Sequence, residues 1–432
     1  MNTAPRVLPL PLPLRTLVHL LAGVDWLLLF ATAFLIAVGL STLRWSQQTL
    51  GYFDKQIDFM AVGLILLLIS SRIPPNFFTK IWFVSLIYIV NLGLLLAVMI
   101  KGHSAQGAQR WLAIGPITLQ PSEIAKLVVI FTLAAWLGRR PIRKFTDILL
   151  AVLLILPPAV LVFKQPDLGT SLTFGALFLG MTYWAGATLT DLLIFLSPLI
   201  SLILNATNQV WWLSFVAFLG VWLLLFWRRK EWKFIIRLFL ILVIVGSNFA
   251  CGELRPHLWG LLKEYQQKRL TSFVNPYEDP RGSGYHILQS LIAIGSGGLV
   301  GTGLGKGNQS QGAFIPERHT DFIFAVVGEE LGFKVSALVI IAYSIICFRG
   351  LSAATHCRED PSSSVMAIGI MCLFLFHVFL NVGMTMGIMP VAGVPLPFLS
   401  YGGTAALVDL VGIGLLQAIQ FANPKPIENK WQ

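Results

Sequence analysis

The chain has 432 residues, of which 56% are hydrophobic and only 12% are charged. Soluble domains contain about 25% charged residues, so this composition excludes an ordinary soluble protein. The net charge of +11 also fits a nucleic-acid-binding protein, but the basic residues lie in short clusters between apolar runs. Such clusters set the orientation of membrane proteins, and we expect no nucleic-acid partner.

Apolar runs recur along the chain at lengths suited to crossing a bilayer, and spanning segments of this kind form helices because lipid offers the backbone no hydrogen-bond partner. They predict an all-α polytopic membrane protein, a helical bundle of about 10–12 transmembrane helices. We divide the chain into an N-terminal tail (1–23), a transmembrane domain (24–421) and a C-terminal tail (422–432). The expected spans are 24–43, 57–71, 81–100, 121–138, 147–163, 168–186, 192–205, 211–227, 234–251, 324–348, 365–380 and 404–421.

Lys and Arg in the loops predict the sidedness of the chain. With the N-terminus in the cytoplasm and alternating spans, the basic loops all fall inside, namely 72–80, 139–146, 228–233 and 349–364. Both termini are then cytoplasmic, and the loops 101–120, 252–323 and 381–403 are extracytoplasmic. The loop 252–323 is far longer than a simple connection, and such loops are usually functional. Within it, residues 259–273 have the pattern of an amphipathic helix that lies on the membrane surface.

Two charged motifs lie at the expected outer ends of the early spans. Arg110 and Trp111 combine a cation with an aromatic ring, which fits either an interfacial aromatic belt or a binding site. Glu123 and Lys126 open the fourth span, share one helix face and can pair. Charge inside a membrane is costly, so a role in substrate binding is favoured over a helix cap with an interfacial ion pair.

Two aspartates lie at the expected outer ends of later spans. Asp167 precedes the sixth span, where it can cap the helix, contribute to a polar site, or do both. Asp321 precedes the tenth span, where spacing alone favours a helix cap, although partial burial would raise its pKa towards that of a general base. Arg318 and His319 beside it can bind anionic groups or extend to the water interface.

Two irregular segments and a pair of carboxylates complete the pattern. Residues 295–307 are rich in glycine but lack the spacing of a nucleotide-binding loop, which predicts a flexible, tightly turning loop whose N–H groups could hold a diphosphate. Residues 389–403 contain three prolines and three glycines, so they cannot form a plain helix and are expected to line a cavity. Glu329 and Glu330 lie inside a span and are expected to pair with neighbouring helices.

Six segments of the chain are distinctive, namely GAQRW at 107–111, QPSEIAK at 120–126, QPDLGT at 165–170, NPYEDPRGSGYHILQS at 275–290, PERHTDFIFAVVGEELG at 316–332 and PLPFLSYGG at 395–403. Together they resemble the SEDS family (shape, elongation, division and sporulation proteins), and they occur in family order across the chain. The last two resemble the elongation branch of the family more than its division branch. The chain departs from the family within residues 187–250, where an extra pair of helices is expected.

The resemblance implies a peptidoglycan glycosyltransferase of the bacterial inner membrane, which polymerises lipid II into β-1,4 glycan strands for cell-wall elongation and rod shape. The family's proposed catalytic aspartate matches Asp321, and its polar cavity residues match Glu123, Lys126, Asp167 and Ser400. The active site is then expected on the extracytoplasmic face. The remaining candidate substrate-binding residues are Arg110, Trp111, Gln120, Arg318 and His319.

The resemblance also implies partners. Lipid II and undecaprenyl diphosphate are the expected substrate and product, and a class B penicillin-binding transpeptidase and membrane proteins of the elongation complex are the expected protein partners. The leaving diphosphate needs cations, which Arg110, Lys126, Arg318 or a divalent ion such as Mg²⁺ or Mn²⁺ could supply. No nucleotide cofactor is expected, because the lipid-linked substrate supplies the energy.

Two other functions stay open at this point. Polytopic bundles with charge inside the membrane also suit transport, so a lipid II flippase is the first alternative. A non-catalytic scaffold of the wall-synthesis complex is the second, and it would tolerate the loss of Asp321, Glu123 and Lys126 together. The formation of glycan polymer from lipid II by the purified protein distinguishes the enzyme from both.

Overall fold

The computed structural model describes most of the chain. The expected tails lie almost wholly outside the described residues, as do the basic loop 228–233 and most of the expected amphipathic helix at 259–273. The described residues are 23–45, 50–105, 108–114, 117–227, 234–254, 284–312, 314–315, 317–357 and 360–422, with the single residues Gly260, Gln267, Arg269, Phe273 and Tyr277.

Fourteen α-helices and one short 3-10 helix (Pro75–Phe77) occur in this part of the chain, and each of the twelve expected spans coincides with one of the α-helices. The predicted all-α polytopic fold is therefore confirmed. The helices are α1 (Trp26–Trp45), α2 (Leu50–Arg72), α3 (Ile81–Lys101), α4 (Pro121–Arg139), α5 (Phe145–Lys164), α6 (Leu168–Trp184), α7 (Leu189–Thr207), α8 (Gln209–Phe226), α9 (Phe234–Glu253), α10 (Tyr285–Ser296), α11 (Asn308–Gln311), α12 (Ile323–His356), α13 (Pro361–Thr385) and α14 (Gly403–Ala422).

Nine helices of the described chain are long and apolar enough to cross a membrane. Helices α2, α6 and α7 are not among the nine. Helix α2 carries Asp54, Lys55 and Asp58 near its start, whereas α6 has only 17 residues and the apolar part of α7 is similarly short. The chain is thus a multi-pass membrane protein.

Helices α4, α13 and α14 form the centre of the bundle. In α4, 83% of the membrane-spanning window is buried, against 11% in the peripheral helix α9. Small residues allow the central helices to approach closely, as is usual between helices in lipid. For example, a Cβ atom on Gly414 of α14 would lie 2.0 Å from the hydroxyl of Ser70 and 2.5 Å from the carbonyl of Leu67, both in α2.

The two ends of the bundle differ in chemistry. At one end, Asp25, which immediately precedes α1, forms an ion pair with Arg349 of α12, and its backbone exchanges two hydrogen bonds of 3.0 Å with the side chain of Gln417 in α14. These contacts tie three helices together. The opposite end, which we call the Asp321 end, carries Asp167, Asp321 and the irregular segment 386–402.

A small antiparallel sheet at the Asp321 end was not predicted from the sequence. Strand β1 (His103–Ala105) pairs with β2 (Ala108–Ile114), which pairs with β3 (Ile117–Leu119). The sheet connects α3 to α4 and holds the chain that enters the first turn of α4.

Helix α12 is interrupted near its start by the glycine-rich segment. Gly332 has a φ of 74° and a ψ of −174°, so the helix breaks there. The N–H groups of Thr302 and Gly303 donate to the carbonyls of Glu329 and Glu330, both at 3.0 Å, while the N–H of Phe333 donates to Gly298. The segment 295–307 turns tightly, as predicted, and its backbone completes the hydrogen bonding that the broken helix lacks.

The expectation that Glu329 and Glu330 pair with neighbouring helices is confirmed only for the short helix α11. Glu329 accepts hydrogen bonds from the N–H groups of Gln309 and Ser310, at 2.7 and 2.8 Å, and so caps the start of α11. Glu330 accepts from the hydroxyl of Ser310 at 2.7 Å and from the N–H of Gly305 at 3.1 Å. The two carboxylates therefore fasten the preceding loop onto α12 rather than bridging to neighbouring long helices.

Candidate active site

Asp321 lies in the turn that precedes α12. The N-cap position of α12 is taken by Phe322, and no side chain caps the helix there, so the helix-cap interpretation of Asp321 is wrong. Its carboxylate makes no hydrogen bond with any described residue, whereas the carbonyl of the same residue accepts a hydrogen bond of 2.9 Å from Asn381. The backbone of Asp321 is therefore fixed while its carboxylate stays available.

Burial raises the pKa of Asp321 from 3.8 to about 6. The positive charge of Arg269 lowers this pKa, and the negative charge of Glu317 raises it; weaker and opposite effects come from Arg110 and Asp167. Two cations and two carboxylates therefore surround Asp321. A carboxyl group with a pKa near 6 is mostly ionised at neutral pH yet basic enough to accept a proton.

Arg110 and Asp167 are brought together by β2 and the start of α6. A guanidinium nitrogen of Arg110 lies 3.8 Å from Oδ1 of Asp167, and another donates to the carbonyl of Pro166. Asp167 is the N-cap of α6, where its side chain accepts from the N–H of Thr170 at 3.3 Å. Both sequence interpretations of Asp167 are therefore compatible, because one carboxylate caps the helix and faces the cation.

The first turn of α4 extends this polar group towards the membrane interior. The hydroxyl of Ser122 donates to Oδ2 of Asp167 at 3.1 Å, and the side-chain amide of Gln120 donates to Ser122 at 3.2 Å. Gln120 also donates through its backbone N–H to the hydroxyl of Thr404 at 3.1 Å. Gln120 thus joins the start of α4 to α14, and Ser122 joins it to the start of α6.

Glu123 and Lys126 form the expected pair inside the bundle. The ammonium of Lys126 lies 2.7 Å from Glu123 and 3.3 Å from Nε2 of His377 in α13. Both members of the pair are almost fully buried, so they do not form an interfacial ion pair. Asp409 of α14 interacts electrostatically with both, which makes a polar cluster of four residues from three central helices.

Ser400 is buried next to the segment that carries Asp321. Its hydroxyl donates to the carbonyl of Thr320 at 2.6 Å and accepts from the N–H of Leu396 at 2.8 Å. The neighbouring N–H of Tyr401 donates to the carbonyl of His319 at 2.8 Å. The PLPFLSYGG segment therefore supports the backbone that carries Asp321.

The remaining candidates lie around this centre. The ring of His319 stacks on Tyr52 of α2 with centroids 4.6 Å apart, and burial lowers the pKa of His319, which keeps its imidazole neutral. Arg318 is 5% exposed and interacts electrostatically with Glu330. Trp111 follows Arg110 in β2, and consecutive strand residues point to opposite faces, so the two side chains do not form one patch.

The sequence matches the profile of the FtsW/RodA/SpoVE family, described as cell cycle proteins, over residues 19–214 and 209–424. The chain belongs to this family. The resemblance to SEDS proteins is therefore confirmed across nearly the whole length.

Relatives of this SEDS protein are similar over most of their lengths. It is 37% identical over 397 residues to the peptidoglycan glycosyltransferase MrdB of Escherichia coli K12, covering 91% of this chain and 92% of MrdB. It is 33% identical to the peptidoglycan glycosyltransferase RodA of Treponema pallidum, covering 84% and 88%. Among solved structures, one similar chain comes from a study of the structural coordination of polymerization and crosslinking by a peptidoglycan synthase complex. It superposes on this protein with a TM-score of 0.70 at 28% identity, covering 93% of this chain and 99% of that one.

Several polar residues of this SEDS protein were missed in the sequence. His377 and Asp409 lie in apolar runs that were interpreted only as spans, and Asn381 was assigned to the loop that follows the first of these runs. A polar residue inside a span is itself a signal of function, and this signal could have found His377 and Asp409. His286 was also missed; its ring stacks on Phe322 with centroids 5.8 Å apart, and burial lowers its pKa.

Proposed function

We propose that this SEDS protein is a peptidoglycan glycosyltransferase that polymerises lipid II into β-1,4 glycan strands for cell-wall elongation and rod shape. One observation carries the assignment: Asp321 presents a carboxylate with a pKa of about 6 that caps no helix at the end of a membrane-embedded bundle. Such a group suits proton transfer from a sugar hydroxyl. The activity agrees with the names of the MrdB and RodA relatives.

In the proposed reaction, the donor is the growing glycan on its lipid diphosphate and the acceptor is the 4-hydroxyl of the GlcNAc on an incoming lipid II. Asp321 accepts the hydroxyl proton while the oxygen attacks the anomeric carbon of the donor. The bond to the diphosphate breaks, and undecaprenyl diphosphate leaves. A single displacement converts an α-linked diphosphate into a β-linked sugar, so the reaction needs one carboxylate base and no covalent intermediate.

Arg110 and Arg269 are the cations best placed to stabilise the leaving diphosphate. Both act electrostatically on Asp321, so both lie near the reacting centre. Lys126 is paired with Glu123 deeper in the bundle, and Arg318 interacts with Glu330. Positive groups already in place where negative charge develops contribute strongly to catalysis. We assign Arg110 and Arg269 to the diphosphate, and Lys126 to the charge balance of the central cluster.

A divalent cation fits this site as a companion of the substrate. No three His, Cys, Asp or Glu side chains of the described chain converge into a ready-made metal site. Mg²⁺ is commonly held by one or two carboxylates together with substrate phosphates. Asp321 and Asp167 are the carboxylates that would meet an ion bound to the diphosphate, and the ion would add positive charge there.

The orientation is part of the proposal. The basic loops predict that the Asp321 end faces away from the cytoplasm and that both termini are cytoplasmic. A lipid-linked sugar would then reach Asp321 from the outer leaflet, with its tail held against apolar faces of the bundle. The strands need cross-linking, so we propose a class B penicillin-binding transpeptidase and elongation-complex proteins as partners; the similar chain from a peptidoglycan synthase complex supports this proposal.

Polymerisation of lipid II by the purified full-length protein tests the function. We expect wild type to form glycan strands and Asp321→Asn to lose about 10²–10⁴-fold in rate, the usual contribution of a general base. Asp360→Asn is the matched control, because Asp360 only caps α13 at the opposite end of the bundle, accepting from Ser362 at 3.1 Å. Its rate per folded molecule should equal that of wild type.

The alternatives predict other results. A flippase would move lipid II across a bilayer without forming polymer, and a scaffold would do neither. Full polymerisation by folded Asp321→Asn would show that the general base is another residue. Cysteine labelling that places residues 284–312 in the cytoplasm would remove the proposed route of the substrate.

A further inference from the structure

The segment that carries Asp321 is held through three consecutive backbone carbonyls. The carbonyl of His319 accepts from the N–H of Tyr401 at 2.8 Å, and the carbonyl of Thr320 accepts from the hydroxyl of Ser400 at 2.6 Å. The third carbonyl, on Asp321 itself, accepts from a side chain of α13. Three carbonyls in a row are thus satisfied by groups from outside the segment, which leaves its backbone little freedom.

That side chain is Asn381, which is fully buried. Its Nδ2 donates to the carbonyl of Asp321 at 2.9 Å and to the carbonyl of Val394 at 2.8 Å. One amide group therefore joins the Asp321 segment to the irregular segment 386–402. No other described side chain donates to both segments through the same atom.

The two hydrogen bonds of Asn381 determine which part of the backbone lies against the carboxylate of Asp321. Gly393, next to Val394, has a φ of 68°, and a Cβ atom there would lie 3.4 Å from Oδ2 of Asp321 and 3.3 Å from a guanidinium nitrogen of Arg269. The backbone at Gly393 therefore forms one wall of the space around the carboxylate. By holding Val394 and Asp321 together, Asn381 sets the distance between that wall and the carboxylate.

The role of Asn381 depends on its amide nitrogen. Its Oδ1 is buried and has no hydrogen-bond partner among the described residues. A rotated amide would direct this oxygen at two carbonyl oxygens, which is repulsive, so only the observed orientation is stable. A leucine of similar size could fill the space but could not donate, whereas a serine hydroxyl could still donate to one carbonyl.

We propose that Asn381 is a positioning residue for glycosyl transfer, which holds the carboxylate of Asp321 and the backbone wall at Gly393 in the geometry that proton transfer requires. The inference rests on the glycosyltransferase function proposed above. Asn381 touches neither substrate nor the reacting atoms and acts through the backbone of Asp321. Misplacing a catalytic group by about 1 Å can cost about 10²-fold in rate.

The experiment compares Asn381→Leu and Asn381→Ser with Asn248→Leu in purified full-length protein. Asn248 of α9 is the matched control, because it is also fully buried and its Nδ2 donates two hydrogen bonds of 2.9 Å, to Ser197 and to the carbonyl of Ile244. Lipid II polymerisation gives kcat, KM and the pH profile, each per folded molecule counted by size-exclusion chromatography.

We expect Asn381→Leu to lower kcat by about 10²-fold with little change in KM, and Asn381→Ser to recover part of the loss. The acid limb of the pH profile should also move to lower pH in Asn381→Ser, because a less constrained Asp321 can reach solvent and recover a more ordinary pKa. Asn248→Leu should reduce the amount of folded protein but leave kcat and the pH profile unchanged. A residue that serves only stability would not shift the pH profile.

Failure of the inference and failure of the function are distinguishable. If wild type forms no polymer, the proposed function fails. If wild type polymerises and either folded Asn381 variant keeps the wild-type kcat and pH profile, the positioning role is wrong. It is equally wrong if Asn248→Leu changes kcat and the pH profile as much as Asn381→Ser does. Should Asn381→Leu fail to fold, the serine variant alone decides.

Discussion

The peripheral helices α7–α9 and the central helices α4, α13 and α14 both bury polar side chains, but they satisfy them differently. In the periphery, Asn248 accepts from Ser201 at 2.8 Å and donates to Ser197 at 2.9 Å. Asp191 accepts from the hydroxyl of Thr188 at 2.7 Å and from the indole of Trp227 at 3.3 Å. Every polar atom of these two side chains has a partner.

In the centre and at the Asp321 end, some polar side-chain atoms have no hydrogen-bond partner among the described residues. Nδ1 of His377 is buried without a hydrogen-bond partner among the described residues, and the Asp321 carboxylate accepts no hydrogen bond from them. Unpaired buried atoms also occur in the periphery, at the indole nitrogens of Trp212 and Trp222 and at Nε of Arg237. The two regions therefore differ in the chemistry of their unpaired groups, because a carboxylate and an imidazole can take part in proton transfer whereas an indole N–H or a guanidinium only donates hydrogen bonds.

The largest effect on stability is expected from the buried pair in the centre. Replacing Lys126 with Met leaves Glu123 charged and unpaired in the bundle, where breaking a buried ion pair typically costs about 3–5 kcal/mol. The double substitution Glu123→Gln with Lys126→Met removes both charges and should recover most of that loss. Thermal unfolding of the purified protein in detergent measures the difference.

The peripheral control for this pair is Asn248→Ala, which removes hydrogen bonds but leaves no charge. A loss of about 1–3 kcal/mol is expected for its unsatisfied partners. Equal losses in Lys126→Met and Asn248→Ala would show that the central pair is no more critical than an ordinary interhelical hydrogen bond. That result would break the contrast between the two regions.

The pH dependence of the reaction should follow Asp321. Because its pKa is about 6, the carboxylate is protonated below that pH and cannot accept a proton. The rate should therefore fall by about tenfold for each pH unit below 6. Initial rates of lipid II polymerisation between pH 4 and 8 check this, and an acid limb centred near pH 4 would mean that Asp321 is not the titrating base.

Asp321 should also lower stability at neutral pH. Its pKa in the folded protein lies above the ordinary value of 3.8, so the folded state binds the proton more tightly. The resulting stabilisation is full below pH 3.8 and is lost as the pH rises through about 6. Asp321→Asn should therefore unfold at a higher temperature than wild type at pH 8, with no such gain near pH 4.

A comparison of two aspartates tests the contrast directly. Asp409→Asn removes a carboxylate that makes no hydrogen bond with described residues, so the fold should persist while the rate falls by about tenfold, equivalent to about 1.4 kcal/mol of transition-state stabilisation. Asp191→Asn weakens a helix cap in the periphery, which should cost about 1 kcal/mol of stability and no activity. Polymerisation rates and unfolding temperatures of both variants check this. A loss of stability in Asp409→Asn together with a loss of activity in Asp191→Asn would contradict the contrast between the two regions.

The sequence predicted what depends on hydrophobic runs and local spacing. The twelve spans, the cap at Asp167 and the pairing of Glu123 with Lys126 follow from helix length and from neighbours within one turn. The functional assignment of Asp321 came from family resemblance, since spacing alone favoured a cap. The placement of all ten candidate site residues as contacts of a substrate stays a prediction.

Contacts between distant segments could not be predicted in this way. Nothing local indicates that Asn381 would bridge Asp321 and Val394, that Ser400 would be used by Thr320 and Leu396, or that Glu330 would fasten the preceding loop. These depend on how helices are arranged in three dimensions. The strands at 103–119 were also missed, because three short strands give too little alternation to distinguish them from a loop.

The smallest decrease in the polymerisation rate is expected from a substitution at Gly393, where the two segments meet. Its φ of 68° is unfavourable for any residue with a Cβ atom, and that atom would lie 3.4 Å from the Asp321 carboxylate. Gly393→Ala should therefore cost about 1–2 kcal/mol of stability and lower the polymerisation rate slightly.

Gly246 of α9 is the peripheral control, because a Cβ atom there meets nothing within 4 Å and alanine stabilises a helix by about 1 kcal/mol relative to glycine. Gly246→Ala should stabilise the protein without altering the rate. If Gly393→Ala and Gly246→Ala changed stability in the same direction, the Asp321 end would not be more closely packed than the periphery.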